Sequence, residues 1–302
     1  MLAIDLGSNT LRVLVYDCEK EERVWEFEKV VKTADGLAKF GVINEKALER
    51  VIAALKEAQA QIDFTSHTII AVTTEAVRRA RNAEEVLKKI AEETDVYFEI
   101  ISGDEEARLT LLAVKHRLKK LHHTSESFVL VDIGGGSTEL IFSYGKEVIS
   151  KSFPIGIVTI AQSYEHLDKI EEALFTEMYD MHTFCAGVYA KKEKPDIFVA
   201  TAGTPTTVAA MKLGLNYETY NPDKINGTTL QKEELDFYLK KLLNMPFEER
   251  EIAVGTGRSD LITAGILIYK QLYMLLAFES CMVIDDGLRE GVVIDRCRGA
   301  LK

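Results

Sequence analysis

Apolar and polar positions along the chain follow two periods, one of short aliphatic runs broken by small-residue turns and one of longer helical stripes. Residues 3–15 (Ala3-Ile4-Asp5-Leu6-Gly7-Ser8-Asn9-Thr10-Leu11-Arg12-Val13-Leu14-Val15) read as strand, turn and strand. Residues 130–142 (Leu130-Val131-Asp132-Ile133-Gly134-Gly135-Gly136-Ser137-Thr138-Glu139-Leu140-Ile141-Phe142) repeat that reading. Short β-branched and aliphatic runs around such a turn predict β-hairpins, with glycine expected to supply a positive φ. The two hairpins start 127 residues apart, close to half the chain, which points to a duplicated scaffold.

Between them the pattern predicts a strand at 68–73 with a helix at 75–91, then a strand at 96–101 with a helix at 104–122. The second half predicts a strand at 196–200, a turn at 202–207 and a helix beginning at 208–213. An amphipathic helix follows at 233–243, then a strand at 281–284 and a helix at 288–298. Alternating strands and helices indicate an α/β fold with covered sheets. The most apolar stretch, 261–278, contains Lys270 and Gln271 and is expected to be a buried helix rather than a membrane span.

Composition narrows the picture. The 302 residues are 47% hydrophobic and 28% charged, which excludes disorder and fibrous repeats. Length suggests two domains, with the step in the short polar stretch 123–127, giving 1–124 and 125–302. A net charge of −11 argues against non-specific nucleic-acid binding and against an anionic membrane surface. That charge divides unevenly, −3 up to Thr124 and −8 beyond it. Cys18, Cys185, Cys281 and Cys297 show no C-x-x-C spacing and are expected to be reduced thiols. Asp5 interrupts what would be the apolar core of a signal peptide, so the expected compartment is cytoplasmic.

The two turns suggest chemistry. Consecutive amides at Gly134, Gly135, Gly136, Ser137 and Thr138 can form an anion nest, and Gly7, Ser8, Asn9 and Thr10 can form a second. A plain turn is the alternative for either one alone. Carboxylates beside bound phosphates are the usual holders of Mg²⁺, which makes Asp5, Asp132 and Glu139 candidate metal ligands. Ser102-Gly103-Asp104-Glu105 fits a capping box and gives Glu105 a structural role. Glu106, one residue on, is explained on the residues alone by the helix dipole. The basic run 115–123 ends a helix and reads as a solvated face, with guidance of a long polyanion as the other reading.

Taken together, Asp5 to Thr10 and Val131 to Glu139 resemble the exopolyphosphatase/guanosine pentaphosphate phosphatase family, within the actin, sugar-kinase and Hsp70 superfamily. Further blocks agree in order: Ala34-Asp35-Gly36-Leu37, Thr74-Glu75-Ala76-Val77-Arg78, Ile101 to Leu109, Ala202-Gly203-Thr204, and Asp286-Gly287-Leu288-Arg289-Glu290-Gly291. The resemblance implies the short form, two ribonuclease-H-like (actin-like ATPase) domains with the active site in the cleft between them. It implies a Mg²⁺-dependent phosphohydrolase, with Mn²⁺ as a substitute. Such an enzyme releases terminal orthophosphate processively from inorganic polyphosphate, or converts guanosine pentaphosphate to the tetraphosphate.

The resemblance also assigns roles. The matching position of Glu106 is the general base, and Arg78 matches an arginine that contacts phosphate. Arg12 and Arg258 are weaker candidates on the same logic, and Arg79 and Arg81 read as a solvated helix face. The resemblance allows a homodimer. Two other readings stay open, a superfamily small-molecule kinase and a non-catalytic nucleotide-binding regulator. The acidic block 103–108 favours hydrolysis.

Overall fold

The structure is a computed structural model that describes residues 1–164 and 166–300. Contacts divide the chain into two units, Met1–Ala113 with Gly287–Lys302, and Val114–Asp286. The first holds five strands: β1 (Leu2–Leu6), β2 (Thr10–Asp17), β3 (Glu22–Val30), β4 (Ile69–Thr73) and β5 (Phe98–Ile100). Their order is β3-β2-β1-β4-β5, with β1 antiparallel to β2 and parallel to β4. As the central strand, β1 is buried along its whole length, and its nearly unbroken apolar run fits that place.

The second unit holds β6 (Ser127–Ile133), β7 (Thr138–Tyr144), β8 (Glu147–Phe153), β9 (Ile197–Thr201), β10 (Thr228–Gln231) and β11 (Ser280–Val283). Its order is β10-β11-β9-β6-β7-β8. Here β6 is antiparallel to β7 and parallel to β9, and β11 runs parallel to β9. Three antiparallel strands followed by parallel neighbours thus occur twice, in the same order. The duplication expected from the two hairpins is real, and the α/β, ribonuclease-H-like class with it.

The core of the second unit is built on the helix Ser259–Leu276, the apolar stretch that reads as a buried helix. Tyr269 and Tyr273 on it are fully buried, and Phe198 of β9 packs edge-on against both. The Tyr273 hydroxyl donates to the Leu230 carbonyl at 2.9 Å, which satisfies a polar group that would otherwise be costly there. Lys270 leaves the apolar face to reach Asp236 at 2.5 Å. Among the described residues no helix is long and apolar enough to cross a membrane.

The contact division differs from the step expected at 124/125. The chain leaves the first unit inside the helix Gly103–Lys120 and returns to it after Asp286. The returning helix, Leu288–Ala300, buries Leu288, Val292, Val293 and Ile294 against Ala3, Leu14, Tyr16 and Leu109. Gly291 makes the approach possible, because a Cβ there would lie 2.0 Å from the Leu109 carbonyl oxygen. A disulfide between Cys18 and Cys297, 279 residues apart, closes the same contact. This corrects the expectation of four reduced thiols, which holds for the buried Cys185 and Cys281 alone.

Two further differences have local causes. The helix expected over 75–91 is two helices, Glu75–Arg79 and Ala83–Thr94. Asn82 breaks it by pairing with Ile43 in both directions, at 3.0 and 2.9 Å. The capping box at Ser102 is only half formed. The Ser102 hydroxyl accepts the Glu105 amide at 3.1 Å, but the Glu105 carboxylate turns to Arg108, which meets it at 2.8 Å through two nitrogens.

Arg108 also reaches Asp295 on the returning helix at 2.9 Å, and its hydrogen bonds hold the Glu105 and Asp295 carboxyls below their ordinary values. A lowered folded-state value stabilises the fold above the unfolded carboxylate range, and that contribution is lost as pH falls through the lowered values. Arg108→Met is therefore expected to cost about 1 kcal/mol or less at neutral pH, the groups being nearly half exposed. The deficit should vanish in acid, as read from urea unfolding of both proteins at the two pH values.

Candidate active site

Both hairpin turns close with the same bond. The Gly7 amide donates to the Thr10 carbonyl at 3.0 Å, and the Gly134 amide to the Ser137 carbonyl at 2.9 Å. None of these turn glycines has a positive φ, contrary to the expectation from sequence. In the second loop the use of glycine is steric, while a Cβ on Gly7 would make only ordinary contact, 3.5 Å from the Thr10 carbonyl oxygen. A Cβ on Gly134 would meet the Ser137 carbonyl oxygen at 3.0 Å, and one on Gly156 would meet the Gly135 oxygen at 2.4 Å and the Gly136 nitrogen at 2.6 Å.

Carbonyls of both loops are tied back into the protein. Ser8 and Asn9 accept the amides of Ala34, Val31 and Lys32, while Gly134 and Gly135 accept those of Ile157 and Val158. Such anchoring holds the loops in place, the rigidity that an anion site made of backbone amides requires. Asn9 is buried, and its Oδ1 has no hydrogen-bond partner among the described residues. Thr138 is used differently, because its hydroxyl donates to the Ile155 carbonyl at 2.6 Å and pins the loop from beneath.

Residues directly opposite on neighbouring strands share a face, so each sheet carries a row behind its loop. In the first unit the row is Asp5, Arg12 and Glu28. In the second it is Thr201, Asp132, Glu139 and Ser152. Asp5 and Asp132 hold equivalent places, but their neighbours carry opposite charge. Arg12 stands beside Asp5 and its Nε donates to Glu28 at 2.8 Å. Beside Asp132 stands a second acid, Glu139, almost completely buried, whose Oε1 accepts from the Ser152 hydroxyl at 2.7 Å.

The two rows therefore differ in what they can bind. Paired carboxylates in the second fit a divalent cation that also takes water and phosphate oxygens, the usual habit of Mg²⁺. Asp5 next to an arginine fits a cation less well. Among the described residues no three His, Cys, Asp or Glu side chains converge, so no all-protein metal cage is formed.

The first unit's other candidates lie at the carboxyl ends of its parallel strands, where open α/β sheets bind ligands. The Thr73 hydroxyl donates to the Leu6 carbonyl at 2.8 Å, and the Ile101 amide to the Thr73 carbonyl at 3.0 Å, so the ends of β1, β4 and β5 are joined. Glu106 sits in the first turn of the helix Gly103–Lys120, buried to 9% exposure, with its amide on the Ser102 carbonyl at 2.9 Å. Arg78 reaches over from the helix Glu75–Arg79, placing Nη2 3.6 Å from the Glu106 carboxylate. The same guanidinium donates to Glu75 at 2.7 Å and to the Ile101 carbonyl at 2.6 Å. The structure thus brings Arg78 to Glu106 and Asp132 to Glu139.

Other arginines have different duties. Arg81 is solvated as expected but lies between the helices Glu75–Arg79 and Ala83–Thr94, where its Nη2 donates to the Phe40 carbonyl at 2.9 Å. Arg79, half exposed, stays near Glu75 at 3.8 Å. Arg258 stacks over the Tyr217 ring at 5.5 Å. The run 115–123 is a solvated face only in part, because Lys115 donates to the Gly145 carbonyl at 3.2 Å and Arg117 pairs with the buried Asp286. Glu75, Ser152 and Gly156 escaped the sequence reading. Cross-strand register, the only signal for Ser152, requires β8 to be paired first.

Comparison with known proteins gives this arrangement its class, a hydrolase acting on phosphoanhydride bonds. The chain belongs to the Ppx/GppA phosphatase family, whose model matches residues 19–298. It is 29% identical to a crystal structure of the Aquifex aeolicus member of that family, with a TM-score of 0.75 over 100% of this chain and 98% of that one. An exopolyphosphatase structure from Cytophaga hutchinsonii shares the fold at 22% identity, with a TM-score of 0.86 over 99% of this chain and 97% of that one.

Exopolyphosphatase 1 of Mycobacterium leprae is 25% identical over 96% of this chain and 87% of that protein. A bifunctional 3-dehydroquinate synthase/phosphatase of Fusobacterium nucleatum is 24% identical over 97% of this chain. This chain spans 46% of that longer protein, about half its length.

Proposed function

We propose that the chain releases terminal orthophosphate processively from inorganic polyphosphate, with guanosine pentaphosphate as a second substrate. The observation that carries this reading is Glu106, a buried carboxylate on a capped helix end with an arginine 3.6 Å away. Relatives named exopolyphosphatase support the choice of substrate. Glu106 takes a proton from water as its oxygen attacks the terminal phosphorus, the bridging P–O bond breaks, and a chain shorter by one phosphate leaves.

The amides of Gly7 and Gly134 are spent on closing their turns, so phosphate oxygens are held by the amides of Ser8 and Asn9 in the first unit and of Gly135, Gly136 and Ser137 in the second, and Arg78 neutralises charge on the reacting group. Asn9, with its unpartnered buried Oδ1, faces the ligand or its water. Asp132 and Glu139 would hold Mg²⁺, which when bound would supply positive charge to the phosphates. An acidic protein binds a polyanion here through local amides and cations rather than through net charge.

Purified protein with Mg²⁺ should release orthophosphate from polyphosphate, and turnover of guanosine pentaphosphate alongside it ranks the two substrates. Transfer of label from ATP to a small acceptor without polyphosphate hydrolysis would overturn the reading, as would tight guanosine tetraphosphate binding with no turnover. Gly156→Ala tests the second loop. The added methyl presses on the backbone of Gly135 and Gly136, so turnover should fall about tenfold or more while stability drops by about 1–3 kcal/mol. Unchanged turnover would detach that loop from the reaction.

A further inference from the structure

We infer that Glu75 is a positioning residue that holds the Arg78 guanidinium back from Glu106, and so keeps Arg78 from hydrogen-bonding the base. The inference rests on the proposed roles of Arg78 and Glu106.

Its basis is the division of one guanidinium between two carboxylates. Arg78 gives Nε and Nη2 to the same oxygen of Glu75, at 3.2 and 2.7 Å, and Nη1 to the Ile101 carbonyl at 2.6 Å. Glu106 stands at 3.6 Å from Nη2, inside ion-pair range and outside hydrogen-bond range. Glu75 and Arg78 are three residues apart on one helical turn and share a face. Glu75 is itself nearly buried, with 13% of its side chain exposed, so it is not a surface acid drifting near an arginine.

Three contacts therefore fix the guanidinium plane, and the Glu75 contacts pull it away from the base. With Glu75 gone, the nearest carboxylate to Nη2 is Glu106. A guanidinium that moves onto Glu106 hydrogen-bonds its carboxylate and lowers its basicity. Glu75 also compensates the charge of Arg78, which leaves the cation with a fixed partner at the site.

The test is a double-mutant cycle on phosphate release from polyphosphate by the full chain. Glu75→Ala should lower kcat about tenfold or more, with a smaller change in KM. Glu75→Gln keeps an oxygen acceptor and should restore activity to within about threefold of wild type. In an Arg78→Met background, Glu75→Ala should add less than about a twofold loss, because the residue acts through Arg78. Equal losses in both backgrounds would overturn the inference, as would wild-type kcat in Glu75→Ala or a Glu75→Gln enzyme as slow as the alanine variant. Wild-type activity in Arg78→Met alone would locate the failure in the role given to Arg78, and the inference would fall with it.

Discussion

Glu106→Ala is expected to lower phosphate release from polyphosphate by about a thousandfold or more, the scale of a lost general base. The loss should appear with little change in thermal midpoint, for a reason visible around Arg78. Removing one partner of a buried ion pair is usually costly because the other charge is stranded. Here Arg78 keeps its 2.7 Å contact to Glu75 and its bond to the Ile101 carbonyl, so no cation is left alone. Steady-state phosphate release, paired with a thermal melt of the same preparation, makes the measurement. Full activity in the variant would remove Glu106 from the mechanism.

Opening the Cys18–Cys297 disulfide should produce the largest change in stability. The bond joins residues 279 apart, and the chain-entropy account assigns so long a loop about 6 kcal/mol, with 2–4 kcal/mol typical of measured bonds. Both cysteines lie in the first unit, where Cys297 is buried with Leu288, Val292 and Val293 against Ala3 and Leu14. Cys18→Ser, or reduction of the wild type, should therefore lower the unfolding free energy by about 3 kcal/mol in urea. Adding reductant to Cys18→Ser should change nothing further. A wild type whose urea midpoint ignores reductant would show that the bond contributes no stability in solution.

The hairpins, the central strands and the buried helix were legible because each is written locally. β1 and β6 are aliphatic runs ended by small polar turns, and the helix Ser259–Leu276 is apolar nearly all round. What was not legible depends on partners far away in sequence. β3 is mostly exposed or half exposed and carries no clean alternation, so it exists as a strand because β2 pairs with it. The break at 80–82 comes from Asn82 meeting Ile43, and the disulfide comes from a helix docked at the far end of the chain.

The candidate site divides in the same way. Gly7 and Gly134 stood out from local motifs, whereas Glu106 was singled out only by the family resemblance. Glu75 stood in the sequence only as the start of a helix within the block 74–78, and only the path of the Arg78 side chain gives it a distinct place. The two rows behind the hairpins emerge only with register, and register is what separates the arginine beside Asp5 from the glutamate beside Asp132.

The return of the chain to its first unit sets an order on synthesis. Everything from Val114 to Asp286, 173 residues, is made before the first residue of the returning helix leaves the ribosome. At roughly 5–20 residues per second that is about 10–35 s in which the nascent first unit presents Ala3, Leu14 and Tyr16 without the helix that covers them. The second unit is contiguous and can finish first. The N-terminal half is thus the last part of the protein to mature, and the interval before its closure is when a chaperone has most to offer.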